Sequence, residues 1–193
     1  MKDRRADHIK HAEFWDIGHK VFKSTPETFP VKFLPGDVFD QSFFTSGSIV
    51  TEGLGNDPPL NVAALSSLTP LRGKLSSIHA SSFFHLFNED QQTELAHKLG
   101  SLLSPEPGSM IFGSQGSRPQ RGLFTETMNP KTKEQITMFC HSAESWVELW
   151  EGVFGKSKVH VDATLVEIEH PASKHISDAG RKLYFLVWSV KRL

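Results

Sequence analysis

The sequence has very little cysteine, since Cys140 is the single one among 193 residues. One cysteine can form neither an internal disulfide nor a structural zinc site, and this favours a cytoplasmic setting. Long apolar runs are also lacking: none approaches the roughly 20 residues that a membrane helix needs, so we expect no membrane association. The charged start of the chain, Met1 to Asp7, is not followed by the apolar stretch of a secretory signal.

A surplus of charge of either sign is missing as well, because the formal net charge is -1. Without a basic stripe, the chain is not expected to bind nucleic acid. The ten histidines include no helical pair with a nearby acid, so we predict no metal site. His141 follows Cys140 and can activate a thiol, but the position suits a small buried apolar residue better than a nucleophile.

Aromatic residues are abundant, with fifteen Phe and four Trp. They predict a large aromatic core, and the alternative is an aromatic-lined pocket for a flat or greasy ligand. A hydrophobic content of 38% in 193 residues suits one globular domain, so we expect residues 1–193 to form a single unit.

Hydrophobic spacing and turn signals predict helices and strands that alternate along the chain. Helices are predicted at 11–23, from a cap at Asn88 to just before Pro105, and from a cap at Ser142 to Phe154. Strands are predicted at 31–34, 75–80, 109–113, from 159 onward with a bulge near Leu165, and at 183–190 with both faces buried. This order predicts an α/β sheet whose two last strands form an antiparallel pair.

Two long polar segments interrupt this pattern. Residues 41–73 are rich in Ser, Gly, Pro and Asn, and we interpret them as a loop insertion that is either functional or partly disordered. Residues 114–134 are interpreted as a polar loop. Both are expected to flank the mouth of a cleft and to influence which substrate enters it.

Six short segments are distinctive sequence motifs: 13–22 (EFWDIGHKVF), 36–40 (GDVFD), 78–87 (IHASSFFHLF), 103–109 (LSPEPGS), 138–142 (MFCHS) and 186–190 (LVWSV). In this order and combination they resemble class I S-adenosylmethionine-dependent methyltransferases of fungal terpenoid and meroterpenoid biosynthesis. The resemblance covers nearly the whole chain from residue 11 onward. It implies a Rossmann-like sheet, S-adenosyl-L-methionine as cofactor and a small-molecule substrate. The implied reaction is O-methylation of a carboxyl or hydroxyl group on a terpenoid-like scaffold, and a homodimer is compatible with it.

The resemblance also assigns cofactor-binding residues. Asp37 matches the acid that accepts a hydrogen bond from the adenine amino group, and Val38 and Phe39 complete the same turn. The alternative is that Asp37 only forms a turn with its neighbouring glycine. His79 and Ala80 match the end of the family's fourth strand, which lines the same cleft, although a purely structural role for His79 is equally consistent.

A carboxylate acceptor needs no general base, whereas a phenol or alcohol benefits from one. His79, His85 and His141 are the candidate bases, and the sequence does not choose between them. Asp7 is a further candidate, as the acid that holds the ribose hydroxyls, with a solvated charge near the chain end as the alternative.

The family's first strand, first helix and glycine-rich turn have no counterpart in this sequence. Loss of a central strand leaves unpaired edges, and each unpaired buried backbone group costs about 1–3 kcal/mol against a total stability of about 5–15 kcal/mol. We therefore expect an amino-terminally incomplete domain that is marginally stable alone, or a fragment of a longer enzyme. A non-catalytic methyltransferase-like subunit that pairs with a partner is the alternative function, and a carrier of hydrophobic ligands is a third.

Overall fold

The computed structural model describes residues 12–53, 60–129, 134–168 and 182–193. The elements are α1 (Ala12–Phe22), β1 (Ser77–His79), α2 (Glu89–Leu102), β2 (Met110–Ser117), β3 (Gly122–Asn129), β4 (Glu134–Cys140), α3 (Ala143–Phe154), β5 (Val159–Ile168) and β6 (Leu183–Arg192). Short 3-10 helices lie at Val62–Ala64, Thr69–Leu71 and Phe84–Leu86. The three predicted helices are thus confirmed, while Asp7 lies outside the described residues.

The main sheet has four strands in the order β1, β2, β6, β5. β1 and β2 are parallel neighbours joined through α2, as a parallel pair requires a crossover connection. β6 lies antiparallel between β2 and β5. The predicted α/β architecture, with an antiparallel pair formed by the two last strands, is therefore confirmed.

Local sequence explains why α2 and α3 begin where they do. The Asn88 side chain accepts a hydrogen bond from the Gln91 amide, and the Gln91 side chain accepts one from the Asn88 amide. Ser142 and Ser145 form the same reciprocal arrangement at the start of α3. Each capping box satisfies two amides that the first helical turn would otherwise leave unpaired.

Aromatic side chains fill the space between these helices and one face of the sheet. The Trp146 ring lies 4.9 Å from the Phe84 ring and 4.9 Å from the Trp188 ring, measured between centroids. Trp150 joins the cluster at 5.9 Å from Trp188, and all four side chains are buried. The Phe84–Trp146 contact is edge-to-face and the Trp150–Trp188 contact is stacked, and both arrangements are favourable beyond the apolar area they bury. These aromatic residues therefore serve as core.

Two predictions about the last strands are wrong. β5 pairs with β6 without interruption from Val159 opposite Arg192 to Ile168 opposite Leu183, so there is no bulge near Leu165. The slip in alternation arises because Val166 is an apolar residue on the exposed face. β6 is buried on one face only, and its Val187 is 49% exposed, because no described element covers that side of the sheet.

The predicted strand at 31–34 is also not found. These residues form no ladder with any described strand. The segment has the apolar composition of a strand, but a strand is stable only when a neighbour satisfies its amides and carbonyls. Composition alone gave no information about that neighbour.

The predicted polar loop at 114–134 is wrong over most of its length. β2 continues to Ser117, and residues from Gly122 onward form β3, which pairs antiparallel with β4 in a separate two-stranded sheet. The Thr125 and Thr137 hydroxyls lie 2.9 Å apart across this pair. Polar residues are tolerated here because a two-stranded ribbon leaves side chains in solvent.

The segment at 41–73 has no strand or α-helix among its described residues, yet parts of it pack on the core. Phe44 is fully buried. Cationic side chains donate to backbone carbonyls along the segment: Lys98 Nζ to Phe44 at 2.7 Å, Arg72 to Ser48 at 3.0 Å, and Arg192 to Val50. These bonds satisfy carbonyls that have no ladder partner, which is how an irregular segment is held against the sheet.

Candidate active site

Several strands end or begin at the same end of the main sheet. β1 and β2 are parallel, so their carboxyl ends, at His79 and Ser117, lie at the same end of the sheet. β6 runs the opposite way and begins there, at Leu183. Ligands of open α/β sheets bind outside the carboxyl ends of the strands, so a cofactor cleft is expected at this end of the sheet.

The loop that follows β1 continues to track β2 before it turns away. The Ala80 amide donates to the Phe112 carbonyl at 2.9 Å, and the Ser82 amide donates to the Ser114 carbonyl at 2.7 Å. Ser82 has a φ of 52°, a left-handed conformation that is uncommon for a residue with a side chain. The chain turns sharply at this serine, and the two sides of the turn face different cavities.

Gly113 permits this close approach. A Cβ atom at this position would lie 2.5 Å from the Ala80 carbonyl oxygen and 2.7 Å from its carbon. Both are backbone atoms fixed by the β1–β2 ladder, so no side-chain rearrangement relieves the overlap. The glycine therefore fixes where His79 and Ala80 lie relative to β2.

His79 is exposed and lies over the outer face of the sheet. Its Nε2 is 2.7 Å from the Ser81 hydroxyl, which also accepts a hydrogen bond from the Ser114 amide at 3.0 Å. Its ring is 5.1 Å from that of Phe112. These contacts place His79 at one end of the open-face groove, an open cavity of about 610 Å³ that reaches Asp162 and Ser189.

On the other side of the turn lies the carboxyl-end pocket, a cavity of about 270 Å³. Its lining includes Ser82, His85, Ser117, Arg118, Met138 and Tyr184. Arg118 is held there by a 2.7 Å hydrogen bond to the Lys182 carbonyl, which links the end of β2 to the start of β6. At the carboxyl end of the strands, the pocket therefore combines apolar walls with a guanidinium (Arg118), an imidazole (His85) and a phenol (Tyr184).

His141 has a different environment. It is 4% exposed, its Nδ1 lies 3.0 Å from the Ser145 hydroxyl, and its ring packs against Trp146 at 5.4 Å. Burial, with a smaller contribution from Arg121, lowers the pKa of His141 to about 4. The imidazole is therefore neutral at pH 7, and it lines neither the groove nor the pocket.

Cys140 is buried beside His141. Burial raises the pKa of its thiol to about 11, so the thiol is protonated at neutral pH. A protonated, inaccessible thiol is a poor nucleophile, and the environment matches the apolar role expected from the sequence.

The turn that contains Asp37 is tightly constrained. Asp37 Oδ1 accepts a 3.0 Å hydrogen bond from the Phe39 amide, so the turn-forming role weighed for this side chain is present. A Cβ atom on Gly36 would overlap the Phe43 ring. Val38 is buried, and the Phe39 ring contacts Phe87, 5.0 Å away, in the segment after β1.

This geometry fits the adenine-binding role that the resemblance implies. A carboxylate has two oxygens and about four acceptor positions, so accepting the Phe39 amide does not use up its capacity. Among the described residues, no hydrogen-bond partner of the Val38 amide is found. An acceptor side chain next to an amide without an internal partner is the pair of groups that an adenine edge requires.

The structure separates the three candidate bases. His79 faces the open-face groove, His85 lines the carboxyl-end pocket, and His141 lies in the core. The Asp37 turn packs on the core through the Phe39–Phe87 contact, and its residues line neither of these two cavities. Arg118 and Tyr184 in the pocket were missed, because Arg118 was placed in a polar loop and Tyr184 within a strand that was expected to be fully buried.

Two kinds of feature are absent from the described part of the chain. No group of three or more His, Cys, Asp or Glu side chains is arranged there to hold a metal ion. No helix in the same residues has both the length and the apolar character needed to cross a bilayer.

The sequence is similar to several fungal methyltransferases. It is 30% identical to the O-methyltransferase phiE of a fungal species over 159 residues, 82% of this chain and 44% of that protein. It is 30% identical to the asnovolin E/chermesin D methyltransferase nvfJ of Aspergillus novofumigatus, over 65% of this chain and 42% of that protein. The methyltransferase ausD of Penicillium brasilianum is 31% identical over 64% of this chain and 42% of its own length.

No protein-family model matches the sequence. A Listeria monocytogenes structure described as an S-adenosylmethionine-dependent methyltransferase superposes with a TM-score of 0.48 and 11% identity, over 92% of this chain and 75% of that chain. The chain spans less than half the length of the curated relatives it matches. Along most of its own length it is nevertheless similar to these fungal methyltransferases, so the predicted resemblance to fungal methyltransferases is confirmed, while the terpenoid-like substrate and O-methylation stay predictions.

Proposed function

We propose that this chain forms part of an S-adenosylmethionine-dependent methyltransferase that methylates an oxygen atom of a small, terpenoid-like molecule. The observation that carries the proposal is the position of the Asp37 turn. The turn packs through Phe39 on the segment after β1, and that segment lines the carboxyl-end pocket through His85. This link through Phe87 and His85 supports an adenine-binding turn that lies near an acceptor pocket.

Asp37, Val38 and Phe39 would hold the adenine end of the cofactor. The Asp37 carboxylate accepts from the adenine amino group, and the Val38 amide donates to a ring nitrogen. The packing of Phe39 on Phe87 fixes the turn relative to β1. His79 and Ala80 follow the same strand to its carboxyl end and would line the cofactor cleft.

When bound, S-adenosylmethionine supplies a methyl group on a sulfonium centre that is ready for in-line displacement. The protein then contributes mainly position and the exclusion of water. The pocket lining is suited to an apolar scaffold, since Met138, Leu183 and Phe185 form part of it. One relative is named as an O-methyltransferase, which supports oxygen as the acceptor atom.

His85 is the candidate base that the geometry favours. It lines the pocket in which an acceptor would sit, whereas His141 is buried against Trp146 with a pKa lowered to about 4 by burial. A hydroxyl acceptor would gain from proton removal by His85, and a carboxylate acceptor would not need it. The contribution of His85 therefore reports the chemical class of the acceptor.

Calorimetric titration of S-adenosylhomocysteine into the chain tests the proposal. We expect saturable binding that Asp37→Ala abolishes. Asp40→Ala is the matched control, because Asp40 also accepts a turn hydrogen bond, from the Ser42 amide at 2.8 Å, but has no assigned cofactor contact. Binding that is absent from the unmodified chain would instead favour the non-catalytic alternative.

A further inference from the structure

The two-stranded ribbon formed by β3 and β4 has two different faces. Along residues 122–125 and 135–138 the side chains alternate between partly buried and exposed. The partly buried large side chains are Phe124 in β3 and Ile136 and Met138 in β4. Phe124 lies directly opposite Met138 in the ladder, so all three side chains share one face. We call this face the inner face of the ribbon.

The inner face meets the carboxyl-end pocket at Met138, which lines that cavity of about 270 Å³. The other lining residues come from the segment after β1, from the end of β2 with the residue that follows it, and from the start of β6. Among the described residues, Met138 is thus the only one that the ribbon contributes. The ribbon therefore closes one side of a pocket whose other sides belong to the main sheet and the segment after β1.

Buried hydrogen bonds hold the base of the ribbon, immediately after this methionine. The fully buried Gln92 donates through Nε2 to the Phe139 carbonyl at 3.0 Å and to a carbonyl in the segment after β1 at 2.9 Å. The Ser117 hydroxyl, at the end of β2, donates to the His141 carbonyl. These bonds join β4 to both segments that form the adjoining sides of the pocket. The backbone that carries the methionine is therefore fixed relative to the cavity.

Arg118 makes a further connection between the inner face and the main sheet. Its guanidinium carbon lies 5.9 Å from the centre of the Phe124 ring, and it donates to the Lys182 carbonyl at 2.7 Å. A cation within about 6 Å of an aromatic face is attracted to it. The ribbon is thus tied to the start of β6 as well, across the same pocket.

The space inside this pocket is limited. Its volume of about 270 Å³ is slightly below the range of about 300–1,000 Å³ that is common for small-molecule sites. The sides formed by β2 and β6 are fixed by an uninterrupted ladder. Met138 is an unbranched thioether, the kind of side chain that fills irregular apolar space. Its length therefore limits how wide a scaffold can enter between the ribbon and the sheet.

We propose that Met138, on the inner face of the ribbon, determines how bulky an apolar acceptor the carboxyl-end pocket admits. The inference rests on the proposed function in treating this pocket as the acceptor site. A slender chain fits beside the thioether, whereas a fused-ring scaffold overlaps it. Truncation to alanine removes the thioether and opens this side of the cavity, and the hydrogen bonds at Phe139 still hold the backbone.

Binding of slender and bulky probes to the full chain tests the proposal. The slender probes are geranic acid and geraniol, and the bulky ones are abietic acid and the corresponding alcohol. Calorimetry gives the affinity ratio of bulky to slender probe within each pair of equal head group, so the head group cancels. Met138→Ala should raise this ratio about tenfold or more, since one methylene in an apolar pocket is worth about 10–200-fold. An unchanged ratio, or an unmodified chain that binds no probe, would overturn the proposal.

Two further variants identify where the probes bind. Gly116 lines the same pocket, and a Cβ atom there would have no neighbour within 4 Å, so Gly116→Ala adds a methyl group to the cavity and should lower the ratio. Leu123→Ala, at a 71% exposed position on the other face of the ribbon, should leave it unchanged. A ratio that responds to Leu123 but not to Gly116 would contradict us.

A purely structural role of Met138 gives a different result. Met138→Ala would then lower the melting temperature and weaken all probes equally, which leaves the ratio unchanged and refutes the proposal. If this variant does not fold, Met138→Phe replaces it, and the bulkier ring should lower the ratio. A ratio that rises or stays constant in Met138→Phe would equally refute the proposal.

These results are separable from the proposed function, because the probes are titrated without cofactor. A chain whose probe ratio follows Met138 but which does not bind S-adenosylhomocysteine refutes cofactor use and supports the role of Met138. A chain that binds S-adenosylhomocysteine while the probe ratio ignores Met138 refutes the role of Met138 alone.

Discussion

Replacing Gly113 by alanine should destabilise the protein through the backbone. The new methyl group would lie 2.5 Å from the Ala80 carbonyl oxygen and 2.7 Å from the carbonyl carbon. β1 would have to move away from β2, which stretches the 2.9 Å hydrogen bond between the Ala80 amide and the Phe112 carbonyl. Overpacking of this kind costs about 1–3 kcal/mol, and a weakened buried hydrogen bond adds about 1 kcal/mol.

The matched control is Gly116→Ala in the same strand. No atom lies within 4 Å of a Cβ at Gly116, so this change should be neutral or stabilising by about 0.4–1 kcal/mol. For a chain of this size, 1 kcal/mol shifts the melting temperature by about 2–4 °C. The two variants then differ by about 2–5 kcal/mol, so thermal unfolding followed by circular dichroism should place Gly113→Ala about 4–20 °C below Gly116→Ala. Coincident melting curves would refute the close approach of β1 and β2.

Three further changes test other parts of the structure. Burial lowers the pKa of His141 from about 6.5 to about 4, so the unfolded chain takes up a proton at a higher pH than the folded chain does. About 3 kcal/mol of folding stability should therefore be lost as the pH falls from 6.5 to 4. An NMR titration in which the His141 ring titrates near pH 6.5 would contradict this. Lys98→Met removes the 2.7 Å hydrogen bond to the Phe44 carbonyl and should lower the free energy of unfolding in urea by about 1–3 kcal/mol. The control Lys156→Met, at a side chain that is 86% exposed, should leave the free energy of unfolding unchanged. Gly36→Ala forces a Cβ atom into the Phe43 ring, and it should lower both the midpoint of urea unfolding and the affinity for S-adenosylhomocysteine. If both values stay unchanged, Gly36 does not pack closely on that ring.

The helices could be predicted from sequence because their signals are local. Asn88 and Ser142 each begin a helix through a side chain that bonds three residues ahead, and this information lies entirely within one turn. The antiparallel closing pair was predicted for a similar reason, since no helical segment separates the two last strands. Such features do not depend on distant parts of the chain.

The errors arose where a distant neighbour decides the structure. Residues 31–34 have strand composition but no described partner, and Val187 was expected to be buried although no described element covers its face. Conversely, the β3–β4 ribbon was missed because its residues are polar, yet Thr125 and Thr137 stabilise it across strands. Pairing is a long-range property that the pattern within one strand does not contain.

The candidate site was only partly predictable. The segments around Asp37 and His79 were identified by resemblance, but nothing in the sequence placed His85 in a pocket and His141 in the core. The separation of His79 from His85 depends on the turn at Ser82, where a left-handed residue redirects the chain between two cavities. Backbone conformations of this kind are uncommon for serine and are not apparent from composition.

The central claim is that the turn formed by Asp37, Val38 and Phe39 binds the adenine of S-adenosylmethionine. The most direct measurement is an amide NMR spectrum of the labelled chain during titration with S-adenosylhomocysteine. The account predicts that the Val38 amide, which has no hydrogen-bond partner among the described residues, shifts most strongly and that residues 79–87 follow. A titration in which Val38 stays unchanged while shifts cluster elsewhere, or in which no amide moves, would contradict it.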